Sequence, residues 1–401
     1  MSGALGALGA DTVVGVVGAG AMGAGIAQVA ATSGHRVVLA DAAAAAIGRA
    51  AEGHAQIMAR LVEKGRMTRA EADAALARIS YVEGVDAAAL RAFAPCGLVI
   101  EAIVEDLAAK QGLFRALEGV VQASCLIATN TSSLSVAALA GSCAHSERVV
   151  GIHFFNPAPV MPLVEIVPAI VTDPDVATSA RALMDAWGKT TVLTTDTPGF
   201  IVNRVARPFY GESLRILEER VADIATIDWA MRELGGFRMG PFELMDFIGN
   251  DVNFAVTSSV FEAMFYDPRY RPALTQRRLV EAGLLGRKSR RGYYDYRDSA
   301  QAPAPTQDPV LGRAIVDRVV AMLINEAVDA VQLRIATPED LELAMTKGVN
   351  YPRGLLAWGD AIGPGTVLAT LESLQAEYGE DRYRPSPLLR RVARAGGRLL
   401  T

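Results

Sequence analysis

The sequence contains little of several residue types, and each shortage excludes a class of protein. Its 401 residues include three cysteines, Cys96, Cys125 and Cys143, and this widely spaced, odd set argues against a disulfide framework or a zinc site. Basic residues form no run longer than a few positions and the formal net charge is −5, so a nucleic-acid partner is not indicated. No apolar run approaches the length that spans a membrane. We therefore expect no metal ion, no nucleic acid and no membrane among its partners.

The start of the chain, MSGALGALGAD, lacks the features of a targeting segment. It has neither a basic beginning nor a long apolar core, so we expect a short flexible tail and no signal peptide. The cysteine usage fits a reduced compartment, and we predict a cytoplasmic location. The length allows two or three domains with a sizeable core.

The first half of the chain alternates buried-strand patterns with helical ones. Runs rich in Val, Ile and Leu cover residues 12–18, 36–41, 97–103, 125–130, 148–155, 163–167 and 190–195. Near-continuous apolar strands separated by helices are typical of a parallel sheet covered on both faces, so we predict an α/β doubly wound sheet. The interval 43–94 is too long for one crossover helix. We predict a helical pair there, with Thr68 as the N-cap of its second helix.

The second half of the chain is helical and contains an internal repeat. FIVNRV (200–205) aligns with AIVDRV (314–319) at an offset of 114, and residues 230–249 match 344–363 at the same offset. RYRP occurs at 269–272 and again at 382–385, an offset of 113, so one small indel separates the copies.

The repeat and a Pro/Ala-rich segment define the domains that we predict. These are a nucleotide-binding domain at 12–195, a helical domain at 196–297, a linker at 298–308 and a truncated helical repeat at 309–401. Pro208 should bend or interrupt the first long helix of the helical part.

A glycine motif follows the first predicted strand. Gly18, Gly20 and Gly23 stand in the G-x-G-x-x-G register and open an Ala-rich helix. The glycines permit a tight turn and a close approach to a pyrophosphate, and the helix N-terminus supplies free N–H groups. Asp41 ends the second strand, where a carboxylate accepts hydrogen bonds from a ribose diol. No arginine follows Asp41, so we predict NAD rather than NADP; the alternative is an ordinary glycine-rich turn.

Polar residues follow two later strands, where the mouth of such a sheet binds ligands. Glu105 and Lys110 follow the strand at 97–103, and the alternative for them is a solvated helix start. Residues 130–133, Asn-Thr-Ser-Ser, follow the next strand. They form either the N-cap of the following helix or a set of hydroxyls that holds a substrate oxygen.

A carboxylate inside an apolar strand marks the strongest candidate site. Glu165 interrupts the run PLVEIV, and burying it without a partner is costly. His153 ends the neighbouring predicted strand twelve residues earlier and is the candidate partner. A carboxylate beside an imidazole fixes its tautomer and stabilises the imidazolium, as a general base requires. The alternative is a structural His–Glu pair. We expect no such partner for His35, His54 or His145.

Together these motifs resemble the 3-hydroxyacyl-CoA dehydrogenase family over residues 12–297. The matching segments are GAGAMGAGIA, EAIVEDLAAK, TNTSSLSV, HFFNPAPVMPLVEIV, DTPGFIVNRV, GPFELMDFIG and GRKSRRGYYDY. The duplicated helical module resembles the long versions of this family. The resemblance implies a Rossmann-type sheet followed by two tandem all-α domains like the C-terminal domains of 6-phosphogluconate dehydrogenase. No enoyl-CoA hydratase domain fits before residue 12, so we expect a stand-alone dehydrogenase.

The resemblance also implies roles for individual residues. His153 becomes the general acid/base and Glu165 its partner, while Ser132 and Asn203 contact the substrate. For NAD, the residues are Gly18, Gly20, Gly23, Asp41, Glu105, Lys110, Asn130 and Lys288. Asn156 and Lys64 are further substrate candidates, although the match around Lys64 is poor.

The chain departs from the family pattern at three places. Pro162 replaces a lysine, Arg290 and Arg291 replace part of the motif after Lys288, and Asp317 stands in the second copy where Asn203 stands in the first. The second copy is therefore expected to be structural. It would pack on the first copy in the place of a partner subunit, giving a monomer or a homodimer.

The reaction implied by the resemblance is the NAD-dependent oxidation of an (S)-3-hydroxyacyl-CoA to the 3-oxoacyl-CoA. The acyl group stays open, with 3-hydroxyadipyl-CoA and 3-hydroxybutyryl-CoA as alternatives. A dehydrogenase of small 3-hydroxy acids without coenzyme A is a rival, but such enzymes generally use a lysine as the base. A crystallin-like structural or binding protein is the non-catalytic rival.

Overall fold

The computed structural model of the protein describes residues 8–298 and 300–400, and the chain divides after residue 197 into two units. The first unit contains an eight-stranded sheet in the order β3-β2-β1-β4-β5-β6-β7-β8. Its strands are β1 (Val14–Val17), β2 (Val37–Asp41), β3 (Ile79–Glu83), β4 (Leu98–Glu101), β5 (Leu126–Thr129), β6 (Val149–Phe154), β7 (Leu163–Pro168) and β8 (Thr190–Leu193). All neighbouring strands are parallel except β6 and β7, which are antiparallel. The predicted α/β doubly wound class is confirmed.

Helices cover both faces of this sheet. They are α1 (Ala21–Thr32), α2 (Ala44–Glu63), α3 (Arg69–Ala77), α4 (Ala87–Leu90), α5 (Leu107–Glu118), α6 (Val136–Ala140) and α7 (Pro174–Ala186), with 3₁₀ turns at Arg91–Phe93 and Ser146–Arg148. Every residue of β1, β4 and β5 is buried, which explains their continuous apolar sequences. The carboxyl ends of these three parallel strands meet at one edge of the sheet, and that edge carries the candidate site.

The segment 43–94 differs in part from its prediction. Helices α2 and α3 form the predicted helical pair, and Thr68 caps α3 in a reciprocal capping box with Glu71. Strand β3, which follows them, was not predicted. It is an edge strand that pairs only with β2, and most of its residues are partly or fully exposed. Its sequence, ISYVE, therefore lacks the apolar run by which the central strands are found.

The second unit is helical and shows the repeat in its elements. Its helices are α8 (Val202–Val205), α9 (Arg207–Glu218), α10 (Ile224–Trp229), α11 (Pro241–Ile248), α12 (Asn250–Ala263), α13 (Leu274–Glu281), α14 (Pro309–Gln332), α15 (Pro338–Leu343), α16 (Leu355–Ile362), α17 (Pro364–Tyr378) and α18 (Pro387–Ala395). A π-helical segment occurs in each copy, at Ala230–Leu234 and Ala344–Gly348, and 3₁₀ turns lie at Pro268–Tyr270, Arg287–Ser289 and Asp381–Tyr383. No helix in the described residues is long and apolar enough to span a membrane.

The first helix of each copy differs in continuity, and a proline present only in the first copy accounts for the difference. In the first copy the helix is interrupted at Ala206, between α8 and α9, just before Pro208. In the second copy Met322 occupies the position that corresponds to Pro208, and α14 continues without a break. The interruption predicted from Pro208 is confirmed, since proline cannot donate the helical hydrogen bond.

A buried glutamate of the second copy binds residues of the first. Glu326, in α14, is fully buried and accepts a hydrogen bond from Nε of Arg204 at 2.7 Å and from Nη1 of Arg269 at 3.2 Å. The hydroxyl of Tyr270 donates to the same carboxylate. Burial opposes ionisation of Glu326, but the two arginines outweigh it and lower the pKa of this carboxyl.

The corresponding glutamate of the first copy binds residues of the second copy in the same way. Glu212, in α9, accepts from Nε of Arg318, from Nη2 of Arg382 and from the hydroxyl of Tyr383, each at 2.6 Å. Glu212 and Glu326 are 114 residues apart, which is the offset of the repeat. Each copy thus supplies two arginines and one tyrosine to the buried glutamate of the other, as in an interface with two-fold symmetry.

Candidate active site

In the glycine turn after β1, two glycines leave no space for a side chain and the third faces open space. Gly18 has φ +105°, and a Cβ there would lie 2.4 Å from the carbonyl oxygen of Ala102. A Cβ on Gly23 would lie 1.7 Å from the carbonyl oxygen of Gly18, so helix and turn pack with no space between them. A Cβ on Gly20 would meet no atom within 4 Å, and Gly20 begins α1 without a side-chain cap. The first N–H groups of α1 therefore face a space that fits a phosphate.

The carboxylate of Asp41 lies beside this turn at the end of β2. Its Oδ2 accepts from the N–H of Ala19 at 2.7 Å, and its Oδ1 accepts from the N–H of Ala43 at 2.8 Å. These bonds hold the carboxylate at the rim of the glycine turn, where the ribose of a bound dinucleotide would lie. The open side of Gly20, the uncapped helix and this carboxylate fit NAD.

A buried ion pair lies where β4 ends. Lys110 is 1% exposed, and its Nζ lies 2.6 Å from Oε1 of Glu101 and 3.1 Å from Oε2 of Glu105. Glu101 also accepts from the hydroxyl of Thr129, at the end of β5. Burial opposes ionisation of Glu105, but Lys110 and the hydroxyl of Thr131 outweigh it and lower the pKa of this carboxyl. The alternative of a solvated helix start is wrong for Lys110.

The loop after β5 binds to Glu105 instead of capping the next helix. The hydroxyls of Thr131 and Ser133 and the N–H of Ser132 donate to Oε1 of Glu105, at 2.9 Å for Ser133 and 3.3 Å for Ser132. Ser135 is the N-cap of α6, since its hydroxyl accepts from the N–H of Ala138. The alternative in which residues 130–133 cap this helix is therefore wrong.

Asn130 connects the ends of β5 and β6. Its Oδ1 accepts from the N–H of Phe154 at 2.8 Å. Phe154 directly follows His153, so this bond positions the end of β6 at the same edge of the sheet as Asn130.

His153 and Glu165 form a hydrogen-bonded pair across β6 and β7. The antiparallel register places them directly opposite each other, and Nδ1 of His153 lies 2.7 Å from Oε2 of Glu165. His153 is 5% exposed and Glu165 is 0% exposed, and the ring of Phe155 lies 4.6 Å from the imidazole ring. Because a carboxylate accepts and does not donate, this bond assigns a hydrogen to Nδ1. The partnership expected from the sequence is present.

The other three histidines have different surroundings. Nδ1 of His35 bonds the carbonyl oxygen of Thr12, and His54 bonds the hydroxyl of Tyr81, while burial lowers the pKa of His54. The expectation that His145 has no carboxylate partner is wrong. Its Nδ1 lies 3.3 Å from a carboxylate oxygen of Glu147, although both side chains are largely exposed.

The remaining predicted residues lie in several elements. Asn156 is exposed in the loop after β6, and Lys64 is exposed at the C-terminus of α2. Asn203 lies in α8, and Nζ of Lys288 lies 2.6 Å from Oδ1 of Asp251. Their contacts with substrate or cofactor stay predictions.

Three more residues complete the site, and the sequence had already indicated two of them: Glu101 lies in the strand run at 97–103, and Thr131 lies in the segment 130–133. Glu101 binds Lys110 and accepts from the hydroxyl of Thr129, while the hydroxyl of Thr131 donates to Glu105. Their positions in the sequence could have indicated all three residues, because each lies at or just after the carboxyl end of one of two adjacent strands. Sequence alone does not show which hydroxyl reaches which carboxylate.

Two family profiles match the chain, in three stretches. The family profile described as "3-hydroxyacyl-CoA dehydrogenase, NAD binding domain" matches residues 13–197. The profile described as "3-hydroxyacyl-CoA dehydrogenase, C-terminal domain" matches residues 199–296 and again residues 315–398, once in each copy of the repeat.

Individual relatives match over most of their length. The 3-hydroxyadipyl-CoA dehydrogenase of Escherichia coli K12 is 40% identical over 95% of this chain and 97% of its own. The 3-hydroxybutyryl-CoA dehydrogenase of Bradyrhizobium diazoefficiens is 40% identical over 73% of this chain and 98% of its own. A crystal structure of 3-hydroxybutyryl-CoA dehydrogenase from Escherichia coli K12 superimposes with a TM-score of 0.91, at 39% identity over 96% of this chain and 99% of that one.

Proposed function

The chain belongs to the 3-hydroxyacyl-CoA dehydrogenase family, and on that footing we propose which of its residues carry out the reaction. The protein is an oxidoreductase that oxidises a 3-hydroxyacyl-CoA to the 3-oxoacyl-CoA with NAD. The proposal concerns the acid/base pair, the groups that hold the substrate, and the groups that hold the cofactor.

His153 is the general acid/base in this proposal. Glu165 holds the Nδ1 hydrogen, so proton exchange with the C3 hydroxyl of the substrate takes place at Nε2. When the imidazole takes this proton it becomes a cation, and the buried carboxylate stabilises that cation. The single observation that carries the proposal is this buried His–Glu pair at 2.7 Å, in the same sheet as the dinucleotide-binding turn.

Ser132 and Asn203 hold the substrate oxygens. The N–H of Ser132 is fixed on Glu105, which positions this residue at the mouth of the sheet. Asn203 supplies an amide, Asn156 is proposed to contact the substrate, and Lys64 is proposed to contact its coenzyme A portion. These four roles rest on the family resemblance of their sequence segments.

The cofactor is held by residues of the first unit together with Lys288. NAD, when bound, accepts the hydride that leaves C3 of the substrate. The N–H groups behind Gly20 bind its pyrophosphate, and Asp41 accepts from the ribose diol. Glu105 and Asn130 are also proposed to contact NAD. Lys110 is proposed to hold NAD as well; it is buried between two carboxylates and keeps Glu105 in place.

The second copy of the helical module is proposed to take the place of a partner subunit. The reciprocal contacts of Glu212 and Glu326 support this proposal, because they repeat the exchange expected across a two-fold interface. We accordingly propose that one chain is sufficient for a complete active site.

The direct test of the proposed function is NADH oxidation with three substrate conditions. We expect steady oxidation with 3-oxoacyl-CoA substrates such as acetoacetyl-CoA, and none with free acetoacetate or without substrate. Turnover of acetoacetate at a rate near that of its coenzyme A ester would favour the rival 3-hydroxy-acid dehydrogenase. Absence of turnover with every 3-oxoacyl-CoA would favour the structural protein.

Two glycine variants separate cofactor binding from folding. Gly20→Ala adds a methyl group to open space, so the melting temperature should stay within about 2 °C of the wild type, as for a variant without steric overlap. The methyl group intrudes on the phosphate space, and the Kd for NADH should rise about tenfold or more. Gly23→Ala forces a Cβ against the oxygen of Gly18 and should lower the free energy of unfolding by about 2–3 kcal/mol. NADH fluorescence titration and thermal melting measure both; equal effects of the two variants on stability would contradict this account.

A further inference from the structure

Two carboxylates share one lysine at the carboxyl end of β4. Nζ of Lys110 lies 2.6 Å from Oε1 of Glu101 and 3.1 Å from Oε2 of Glu105. Lys110 and Glu101 are buried, whereas the side chain of Glu105 is 38% exposed. Because one lysine balances one carboxylate, one negative charge is left over in this group, and its exposed member is Glu105.

The contacts of Glu105 within the protein do not require its charge. The N-cap of α5 is Asp106, whose carboxylate accepts from the N–H of Ala109, so Glu105 does not cap this helix. Two hydroxyls and one N–H of residues 131–133 donate to Oε1 of Glu105. Such donors need only an oxygen acceptor, which a neutral glutamine would also supply. The negative charge of Glu105 is therefore available to act on a ligand.

Glu105 is ionised at neutral pH. Burial opposes its ionisation, but Lys110 and the hydroxyls of Thr131 and Ser133 outweigh burial and lower the pKa of this carboxyl. The hydroxyls bring no positive charge, so they stabilise the carboxylate without neutralising it.

The strand order indicates which half of a bound NAD extends toward Glu105. Asp41 ends β2 and is assigned to the ribose of the adenosine half. Strand β4 lies on the opposite side of β1 from β2, so the nicotinamide half extends over β4 and β5. His153, in β6, takes the proton of the hydroxyl on the carbon that gives up the hydride, so the nicotinamide also extends toward β6. Neighbouring strands are about 4.8 Å apart, and the ends of β4 and β6 are thus about 10 Å apart.

We infer that the charge of Glu105 raises the affinity of the enzyme for NAD⁺ relative to NADH. This inference rests on the proposed function, because it takes Glu105 as a contact of NAD. The nicotinamide ring is a cation in NAD⁺ and neutral in NADH, so a nearby carboxylate attracts only the oxidised form. This attraction is stronger in a partly buried site than in bulk water.

The same balance of charge extends to the reaction. As the C3–H bond of the substrate breaks, the hydride forms a C–H bond on the nicotinamide ring and neutralises its positive charge. The hydroxyl proton passes to Nε2 of His153, so the positive charge then lies on the imidazolium beside Glu165. Glu105 therefore stabilises the positive charge before the transfer, and Glu165 stabilises it afterwards.

The test compares the dissociation constants of three ligands in the absence of substrate. Isothermal titration calorimetry of the purified full-length protein measures NAD⁺, NADH and ADP-ribose, which contains the adenosine and the pyrophosphate but lacks nicotinamide. Glu105→Gln keeps the size of the side chain and an oxygen acceptor but removes the charge. Its Kd for NAD⁺ should rise about tenfold, while the Kd values for NADH and ADP-ribose should stay within about twofold of the wild type. The control Asp73→Asn removes an exposed carboxylate of the same unit, paired with Arg69, and should leave all three Kd values unchanged.

The pattern of the three constants separates the inference from the proposed function. Equal weakening of NAD⁺ and NADH by Glu105→Gln would overturn the inference and would leave Glu105 as a contact of the cofactor. No change in any of the three constants would contradict the proposed contact between Glu105 and NAD, and the inference with it. Glu105→Ala, a second variant without the charge, should show the same selective loss for NAD⁺, and thermal melting shows whether each variant is folded.

Discussion

The His153→Gln variant is expected to lose about 10³-fold in kcat for 3-oxoacyl-CoA reduction while it still binds NADH. Glutamine cannot exchange a proton with the substrate, so the step assigned to Nε2 is lost. Its amide group can still donate to Glu165, and the buried carboxylate therefore keeps a partner. Steady-state NADH oxidation measures the loss, and fluorescence titration measures NADH binding.

A matched control exists in the same unit. His145 also lies beside a carboxylate, that of Glu147, but on the surface of the protein. His145→Gln should leave kcat within about twofold of the wild type, as expected for a surface substitution. Near-normal turnover of His153→Gln would show that the base is elsewhere, and loss of NADH binding would show that His153 supports the fold of the site.

The Glu326→Gln variant is expected to lose about 3–5 kcal/mol in free energy of unfolding at neutral pH. The substitution leaves the guanidinium groups of Arg204 and Arg269 buried without their shared carboxylate. Asp329 lies near both arginines but is an incomplete replacement, since Nη2 of Arg204 is 3.7 Å from its carboxylate. Urea unfolding measures the change.

Folding stability at acidic pH provides a second measurement for this variant. The pKa of Glu326 is lower in the folded protein than in the unfolded chain, so its stabilisation is present above the unfolded value and is lost as the pH falls through the folded value. Wild-type stability should therefore fall more steeply in acid than that of Glu326→Gln. The control Glu281→Gln removes an exposed pair with Arg277 and should change stability by less than about 0.5 kcal/mol. Equal stabilities of the Glu326 and Glu281 variants would contradict the assigned role of the buried glutamate.

The sequence predicted those parts of the fold that local patterns determine. Continuous apolar runs identified the strands that are buried on both faces, and Pro208 identified the helix interruption. The edge strand β3 escaped prediction because only one of its sides is paired and its residues are mostly exposed. Its conformation depends on β2, which lies far from it in the chain.

The sequence predicted the part of the candidate site in which a residue type is unusual for the residues around it. Glu165 is a carboxylate in an apolar strand, and that conflict led to His153. The network around Lys110 could not be predicted, since a lysine at a helix start is ordinarily solvated.

The central claim is that His153 and Glu165 act as one unit in proton transfer, and a double-mutant cycle in kcat tests it most directly. The cycle compares wild type, His153→Gln, Glu165→Gln and the double variant, all at saturating NADH. If Glu165 acts only through His153, the double variant should have the kcat of His153→Gln to within about threefold, because residues of one unit are not additive. If the two single losses instead multiply in the double variant, the residues act independently and the claim is wrong.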